Sequence, residues 1–246
     1  LEVRLLSSPP LKNKQGLTEA EFLARYDPEK YDRPSVTADT LLFTLADTVG
    51  DGGERWEKQL QLLLIKRGDH PFIGHWALPG GFINMDEDLE EAALRELQEE
   101  TGVTPIYMEQ LYTWGKVGRD PRTRIITVSY LALGDQSCRH AKAADDADDA
   151  AWFTVDCRPQ HEGKNGSGHK SPNGEEYHIT LTAGEHRLFA RIRTVEEFSG
   201  PIRPEPEILE SHGLAFDHAK IIFEGIRRLK QHRILERWGF NDGKVE

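Results

Sequence analysis

The sequence predicts an α/β sandwich, and three observations carry that prediction. Short runs rich in apolar residues at 36–46, 60–66, 107–116, 124–133 and 151–155 are bounded by turn residues, the pattern of strands. Two segments, 89–101 and about 217–237, place apolar residues at helical spacing between or after those runs. No internal repeat or long low-complexity tract breaks the order. Strands and helices mixed in this way pack as helices on the faces of a sheet.

The elements follow in order. Thr18 and Glu21 are spaced as a capping box and open a short helix to Tyr26. Polar residues 27–34 lead into the strand 36–46. A polar turn at 47–58, with Gly50, Gly52 and Gly53, separates it from the strand 60–66. After the helix 89–101 come a strand pair, 107–116 and 124–133, and the short strand 151–155. Residues 160–175 turn to Gly, Asn, Ser, Lys and His, the composition of a mobile loop. Residues 176–182 and 186–194 form a hairpin turned at Ala183-Gly184, and Pro201, Pro204 and Pro206 mark an irregular connection. The last helix carries Ile221, Ile222, Gly225, Ile226, Leu229 and Ile234 at helical spacing. The expected division is an N-terminal helical arm at 1–33 and a core at 34–155. An insertion with the mobile loop and hairpin occupies 156–215, and a C-terminal helix at 216–246 packs on the core.

Composition bounds the function. The chain has 246 residues and a net charge of -11, so a surface that binds nucleic acid generally is not expected. No apolar run approaches the roughly 20 residues of a membrane helix. Residues 1–10 lack the apolar stretch of a signal peptide. Cys138 and Cys157 do not make a disulfide framework. A cytoplasmic protein without a membrane partner is the expectation.

The chemistry concentrates in residues 81–103. Asp88 and Glu91 form a capping box, and Gly102 supplies the C-terminal stop. At roughly 100° per residue, Glu96, Glu99 and Glu100 share one face of this helix. That arrangement is locally unfavourable. Glu96 and Glu100 are like charges at i,i+4, which costs about 0.2–0.5 kcal/mol, and they sit at the negative end of the helix dipole. A solvated acidic face is the plain alternative. A divalent cation reverses the balance, because converging hard oxygens are what Mg²⁺ binds.

The spacing Gly81, Glu87, Arg95, Glu96, Leu97, Glu99, Glu100, Gly102, Val103 matches the Nudix box without a mismatch. At average amino-acid usage, a chance match anywhere in the chain is below about one in a million. The chain therefore resembles Nudix hydrolases, and the resemblance implies an α/β/α sandwich with a mixed sheet. It implies hydrolysis of a phosphoanhydride in a nucleoside diphosphate joined to another group, with Mg²⁺ or Mn²⁺ as cofactor. By position, Glu99 and Glu100 resemble the main metal ligands, and Glu96 a further ligand or the base that activates water. Arg95 would hold a box carboxylate in place. Glu87 would brace the loop or join the metal shell through water, and Gly81 would offer a backbone carbonyl.

Residues 70–82 resemble the lead-in of ADP-ribose pyrophosphatases and of Nudix-derived regulators of NAD metabolism; 118–124 and 214–219 resemble the same branch. The resemblance implies ADP-ribose as substrate, giving AMP and ribose 5-phosphate. NADH, a nucleotide sugar, a nucleoside triphosphate, or sensing of ADP-ribose without catalysis are the alternatives. The regulators carry a winged helix after the Nudix domain; here no basic recognition helix follows the last helix, which favours an enzyme without a nucleic-acid partner. A homodimer is expected from the same resemblance. Arg119, Arg122 and Arg124 cluster with Lys116 in an acidic chain, and guanidinium forks suit phosphate oxygens. With Arg67 they are candidate substrate contacts, against a solvated loop holding an Asp120–arginine pair. Phe72 and Trp76, just before the box, are the candidates to stack on adenine. Tyr112 and Trp114 are weaker ones, against core packing for each.

Overall fold

The computed structural model describes residues 10–49, 56–135, 138, 147–160, 174–194, 200–201 and 204–231. It divides into two units, 1–34 and 35–246. In the first, α1 (Glu19–Leu23) starts at Thr18. The Thr18 hydroxyl accepts from the Glu21 N–H, and the Glu21 carboxylate accepts from the Thr18 N–H, so both orphan donors of the first turn are satisfied. A single 3-10 turn at Pro28–Lys30 follows, capped by Asp27.

The second unit is built on one ten-stranded sheet. Its strands are β1 (Ser35–Val49), β2 (Trp56–Arg67), β3 (Trp76–Ala77), β4 (Gly80–Phe82) and β5 (Tyr107–Trp114). They continue as β6 (Ile125–Leu133), β7 (Ala147–Pro159), β8 (Glu175–Ala183), β9 (His186–Thr194) and β10 (Glu207–His212). The main order is β10-β9-β8-β7-β2-β1-β6-β5, with β3 beside β2 and β4 beside β1. The β1–β6 ladder is parallel and the others are antiparallel, so the sheet is mixed.

Two helices, α2 (Leu89–Thr101) and α3 (His218–Gln231), cover its opposite faces. Side chains alternate along a strand. Leu41 and Phe43 of β1, Leu62 and Leu64 of β2, and Leu131 and Leu133 of β6 pack with Ile221, Ile222, Ile226 and Leu229 of α3. The intervening Leu42, Leu63 and Ala132 pack with Leu97 of α2, and Ala38, Val128 and Tyr130 with Ala92 and Ala93. Burial on both faces is why β1, β2 and β6 read as apolar runs rather than alternating ones. This is the expected α/β/α sandwich.

The limit set at residue 155 falls inside β7, which continues to Pro159. The hairpin β8–β9 and the strand β10 then widen the same sheet. Ile179, Leu181, Leu188, Ala190 and Ile192 join the cluster under α3. Most of the loop expected at 160–175, and the stretch of the last helix beyond 231, lie outside the described residues.

Two details of topology position the site. The edge of β1 is shared: residues 43–49 pair with β2, while Thr37, Ala38 and Asp39 pair with β4 at Phe82, Gly81 and Gly80. On the other side of the lead-in, the Trp76 N–H donates to the Gly213 carbonyl and the Ala215 N–H to the Trp76 carbonyl, each at 2.8 Å. That bridge lays residues 213–215 beside β3 and brings Phe216, Asp217 and His218 to the same place as the box.

Candidate active site

Helix α2 forms over 89–101 as its sequence dictates. The Asp88 N–H donates to the Glu91 carboxylate, and Gly102 closes the helix in the left-handed region at φ 69°. The acids of its outer face are gathered by one arginine. Arg95 grips Glu87 through two parallel bonds, Nε to Oε2 at 2.9 Å and Nη2 to Oε1 at 2.7 Å. Its Nη1 reaches Glu96 Oε1 at 2.8 Å and Glu99 Oε2 at 2.9 Å, and its Nη2 reaches the Phe82 carbonyl at 3.2 Å. Glu87 also accepts from the Asn84 N–H. These bonds hold its carboxyl down to about 2, Arg95 first and the Asn84 amide second. Glu87 therefore braces the loop ahead of the helix, and Arg95 ties three box carboxylates to it.

Glu100 is held differently. Its Oε2 accepts from the Gly80 N–H at 2.8 Å. Burial pushes its carboxyl up to about 8 against that bond, with Glu96 and Asp39 adding repulsion. Glu96 is also raised, again by burial first, with Arg95 opposing. The two glycines of β4 lie against these acids. A Cβ on Gly81 would come within 2.5 Å of the Glu96 carboxylate, and one on Gly80 within 2.4 Å of the Ala38 carbonyl oxygen. Both positions exclude any side chain without a shift of their neighbours.

Three acids with one arginine between them suit a hard cation in their chemistry. Glu96, Glu99 and Glu100 each spend one carboxylate oxygen on the bonds above and keep the other without a hydrogen bond to a described residue. As they stand, no three acidic or metal-ligating side chains among the described residues converge on a single point. The donor set fits Mg²⁺ or Mn²⁺; closing on one would draw the free oxygens of Glu96, Glu99 and Glu100 together.

Beside β4 lies a cleft lined by Asp39, Phe82, Arg119, Arg122, Phe216 and His218, among others. Asp39 is 7% exposed, and burial raises its carboxyl to about 7. The His218 Nδ1 accepts from the Leu78 N–H at 2.9 Å, and its Nε2 lies 3.7 Å from Asp39 Oδ2. Burial lowers the ring's pKa to about 4, so it is neutral, with its proton on Nε2.

The predicted substrate residues separate here. Arg119 is a buried structural cation: it forks onto Asp217, with Nη2 to Oδ1 at 2.6 Å and Nε to Oδ2 at 3.1 Å. Arg122 pairs with Asp120 at 2.9 Å and lies over the rings of both Phe82 and Phe216, 5.1 and 5.5 Å from their centroids. Arg67 lies over Phe216 at 5.1 Å and donates to the Pro71 carbonyl at 2.8 Å. Phe72 packs on the same ring with centroids 4.7 Å apart. So Arg67, Phe72 and Arg122 meet around Phe216. Arg124 is elsewhere, exposed, with its Nη1 3.5 Å from the Lys116 carbonyl. Trp76 is 3% exposed and packed edge-on against Phe153, so its ring belongs to the core rather than to a surface where adenine could stack. Trp114 is likewise buried, its indole N–H donating to the Ser129 hydroxyl, and Tyr112 lies edge-on against it.

The NUDIX domain family matches residues 52–171. A crystal structure of a MutT/nudix family protein from Enterococcus faecalis is 32% identical, with a TM-score of 0.61 over 89% of this chain and 71% of that one. The chain belongs to the MutT/Nudix family. Two curated relatives align with part of the chain. The ADPR responsive transcriptional repressor NtrR of Acinetobacter baylyi is 41% identical over 118 residues, 47% of this chain. The ADP-ribose pyrophosphatase of Methanocaldococcus jannaschii is 40% identical over 104 residues, 42% of this chain. This chain spans 43% and 60% of the length of those two relatives.

In this Nudix chain, Asp39, Phe82, Phe216 and His218 line the cleft beside the box, and Asp217 pairs with Arg119 at its wall. Asp39 carried a local signal, an acid inside an apolar strand. The run 214–219 carried one too, a likeness to the branch, but neither signal assigned a contact.

Proposed function

We propose that this chain hydrolyses ADP-ribose to AMP and ribose 5-phosphate, with Mg²⁺ or Mn²⁺ held by Glu96, Glu99 and Glu100. The supporting observation is the Arg95 hub. It fixes Glu87, Glu96 and Glu99 through one guanidinium and leaves free oxygens on the acids, beside a Gly80–Gly81 backbone that carries no side chain. A bound cation neutralises a diphosphate and lowers the pKa of water. The chain's own groups do the rest. Gly81 offers its carbonyl beside Glu96. Glu96, half-buried and raised, is the acceptor of the water's proton. Arg67 and Arg122, with Phe72 and Phe216, form a cationic and aromatic wall that suits the diphosphate and a stacked base. Arg124 stays outside this reading.

Two relatives bear names that mention ADP-ribose or ADPR, and one of them is a pyrophosphatase. The other is a repressor, which supports a second reading of the chain as an ADP-ribose-responsive regulator that contacts DNA. A homodimer of the cytoplasm goes with the enzymatic reading; among the described residues no helix is long and apolar enough to cross a membrane. The test is a substrate screen with Mg²⁺ and Mn²⁺ across ADP-ribose, NADH, nucleotide sugars and nucleoside triphosphates, reading AMP and phosphate products. ADP-ribose should give the highest kcat/KM. No turnover of any of them, with tight and salt-sensitive DNA binding in a gel shift, would favour the regulator.

A further inference from the structure

The cleft beside β4 holds two polar groups that the hydrolytic reading leaves unused. Of its arginines, Arg119 is committed to Asp217, while Arg122, paired with Asp120, is the one the hydrolytic reading uses. Asp39 and His218 have no part in that reading. The Asp39 side chain is 10% exposed, lines the cleft, and makes no hydrogen bond to a described residue. The His218 Nδ1 is occupied by the Leu78 N–H, which leaves Nε2–H as a donor. Its distance to Asp39 Oδ2, 3.7 Å, is too long for a hydrogen bond. An acceptor thus stands next to a donor on the cleft wall, and neither satisfies the other.

The group that fits between them both donates and accepts. A phosphate oxygen would be repelled by the Asp39 carboxylate in its ionised form, and an apolar group would leave both partners unpaired. A hydroxyl donates to Asp39 and accepts from His218. A vicinal diol places a second hydroxyl on the other carboxylate oxygen. The cleft is about 150 Å³, enough to admit a sugar-sized group. Phe82 and Phe216 line it beside Arg122. Gly80 and Gly81 both line the cleft, a Cβ on Gly80 would meet Asp39 and one on Gly81 would meet Glu96, so the two centres adjoin across this short strand.

We infer that Asp39 and His218 form a hydroxyl-reading subsite that takes a ribosyl group of the substrate next to the pyrophosphate centre. This rests on the ADP-ribose reading, and the diol can belong to either of that molecule's riboses. The ligand's 2-hydroxyl then contributes to affinity through these two side chains.

The test is calorimetric binding to the whole chain in EDTA, without turnover. The probes are ribose 5-phosphate against 2-deoxyribose 5-phosphate, and AMP against 2′-deoxy-AMP. One of the two hydroxylated ligands should bind at least ~10-fold tighter than its deoxy partner, and which pair shows the gap identifies the ribose. Asp39→Ala, which removes both acceptor oxygens, should erase most of the gap. His218→Asn should do the same, because its amide oxygen still accepts from Leu78 while the Nε2–H donor is lost. Ratios near one in the wild type, no measurable binding of any probe, or a gap unchanged in folded variants would each overturn the subsite. Glu100→Gln should keep the gap. A gap in a wild-type chain that hydrolyses nothing would retain the subsite and reject the hydrolase.

Discussion

Arg95 and Glu87 are joined by two parallel hydrogen bonds, 2.9 and 2.7 Å long, across the turn between the glycine strand and the box helix. The remaining Nη1 of the same guanidinium serves Glu96 and Glu99. One side chain therefore sets both the loop and the acids, and a point charge on a flexible stem cannot copy a planar fork. Arg95→Lys should lower kcat by about 10–100-fold and raise the Mg²⁺ concentration needed for half activity, the range seen when groups supporting metal ligands are lost. A metal titration of turnover checks this; a melting temperature near that of the wild type shows that the loss is local.

The two β4 glycines should fail in different ways. A Cβ on Gly81 meets the far end of the Glu96 side chain at 2.5 Å, which can swing aside. Gly81→Ala should therefore stay folded and lose at least ~10-fold in kcat, by displacing the group assigned to accept the proton. A Cβ on Gly80 meets backbone, the Ala38 carbonyl at 2.4 Å, which cannot yield without moving β1. Gly80→Ala should cost about 1–3 kcal/mol of stability, in the range of overpacked sites, read by urea unfolding.

Arg119 and Asp217 form a buried pair, with side chains 6% and 10% exposed. Removing one partner leaves the other charged and unpaired. Asp217→Ala should destabilise the fold by about 3–5 kcal/mol. A cost below about 1 kcal/mol, typical of exposed pairs, would show that the pair does not anchor α3 to the loop at 118–124.

Acid should expose the His218 environment. Burial lowers its pKa from 6.5 to about 4, so between those values the unfolded chain holds the proton and the folded chain does not. The stability it contributes is present above pH 6.5 and is lost as the pH falls toward 4. Asp39 has the opposite sign. Its carboxyl is raised from 3.8 to about 7, chiefly by burial, so the folded state takes up a proton below pH 7 and gains stability as the pH falls. The two offset in the wild type. Asp39→Asn should remove the compensating slope and lose stability faster than the wild type between pH 6.5 and 4. Urea midpoints at a series of pH values measure this.

What the sequence made legible was local. The box helix, its cap at Asp88 and its stop at Gly102 depend on neighbours within a few residues, and the structure realises all three. The arginines show the limit. Arg119 lies beside Arg122 in the chain, yet its partner Asp217 is 98 residues away, and that contact makes it structural. Trp76 precedes the box in sequence, but β3 turns it into the core opposite Phe153. Strands β3, β4 and β10 were also hidden. The first two have two and three residues, and β10 (Glu207–His212) is a charged edge strand with a register shift between Ile208 and Glu210. Such strands form because a neighbouring edge is available, and apolar period does not mark them.

The central claim is that the free oxygens of Glu96, Glu99 and Glu100 bind a cation beside which a pyrophosphate is split. Its most direct test is AMP release from ADP-ribose by the wild type and by Glu100→Gln, with Mn²⁺ binding followed on the same samples by electron paramagnetic resonance. The account predicts that Glu100→Gln folds, loses at least ~100-fold in turnover and binds Mn²⁺ at least ~10-fold more weakly. Turnover and Mn²⁺ affinity equal to the wild type would contradict it.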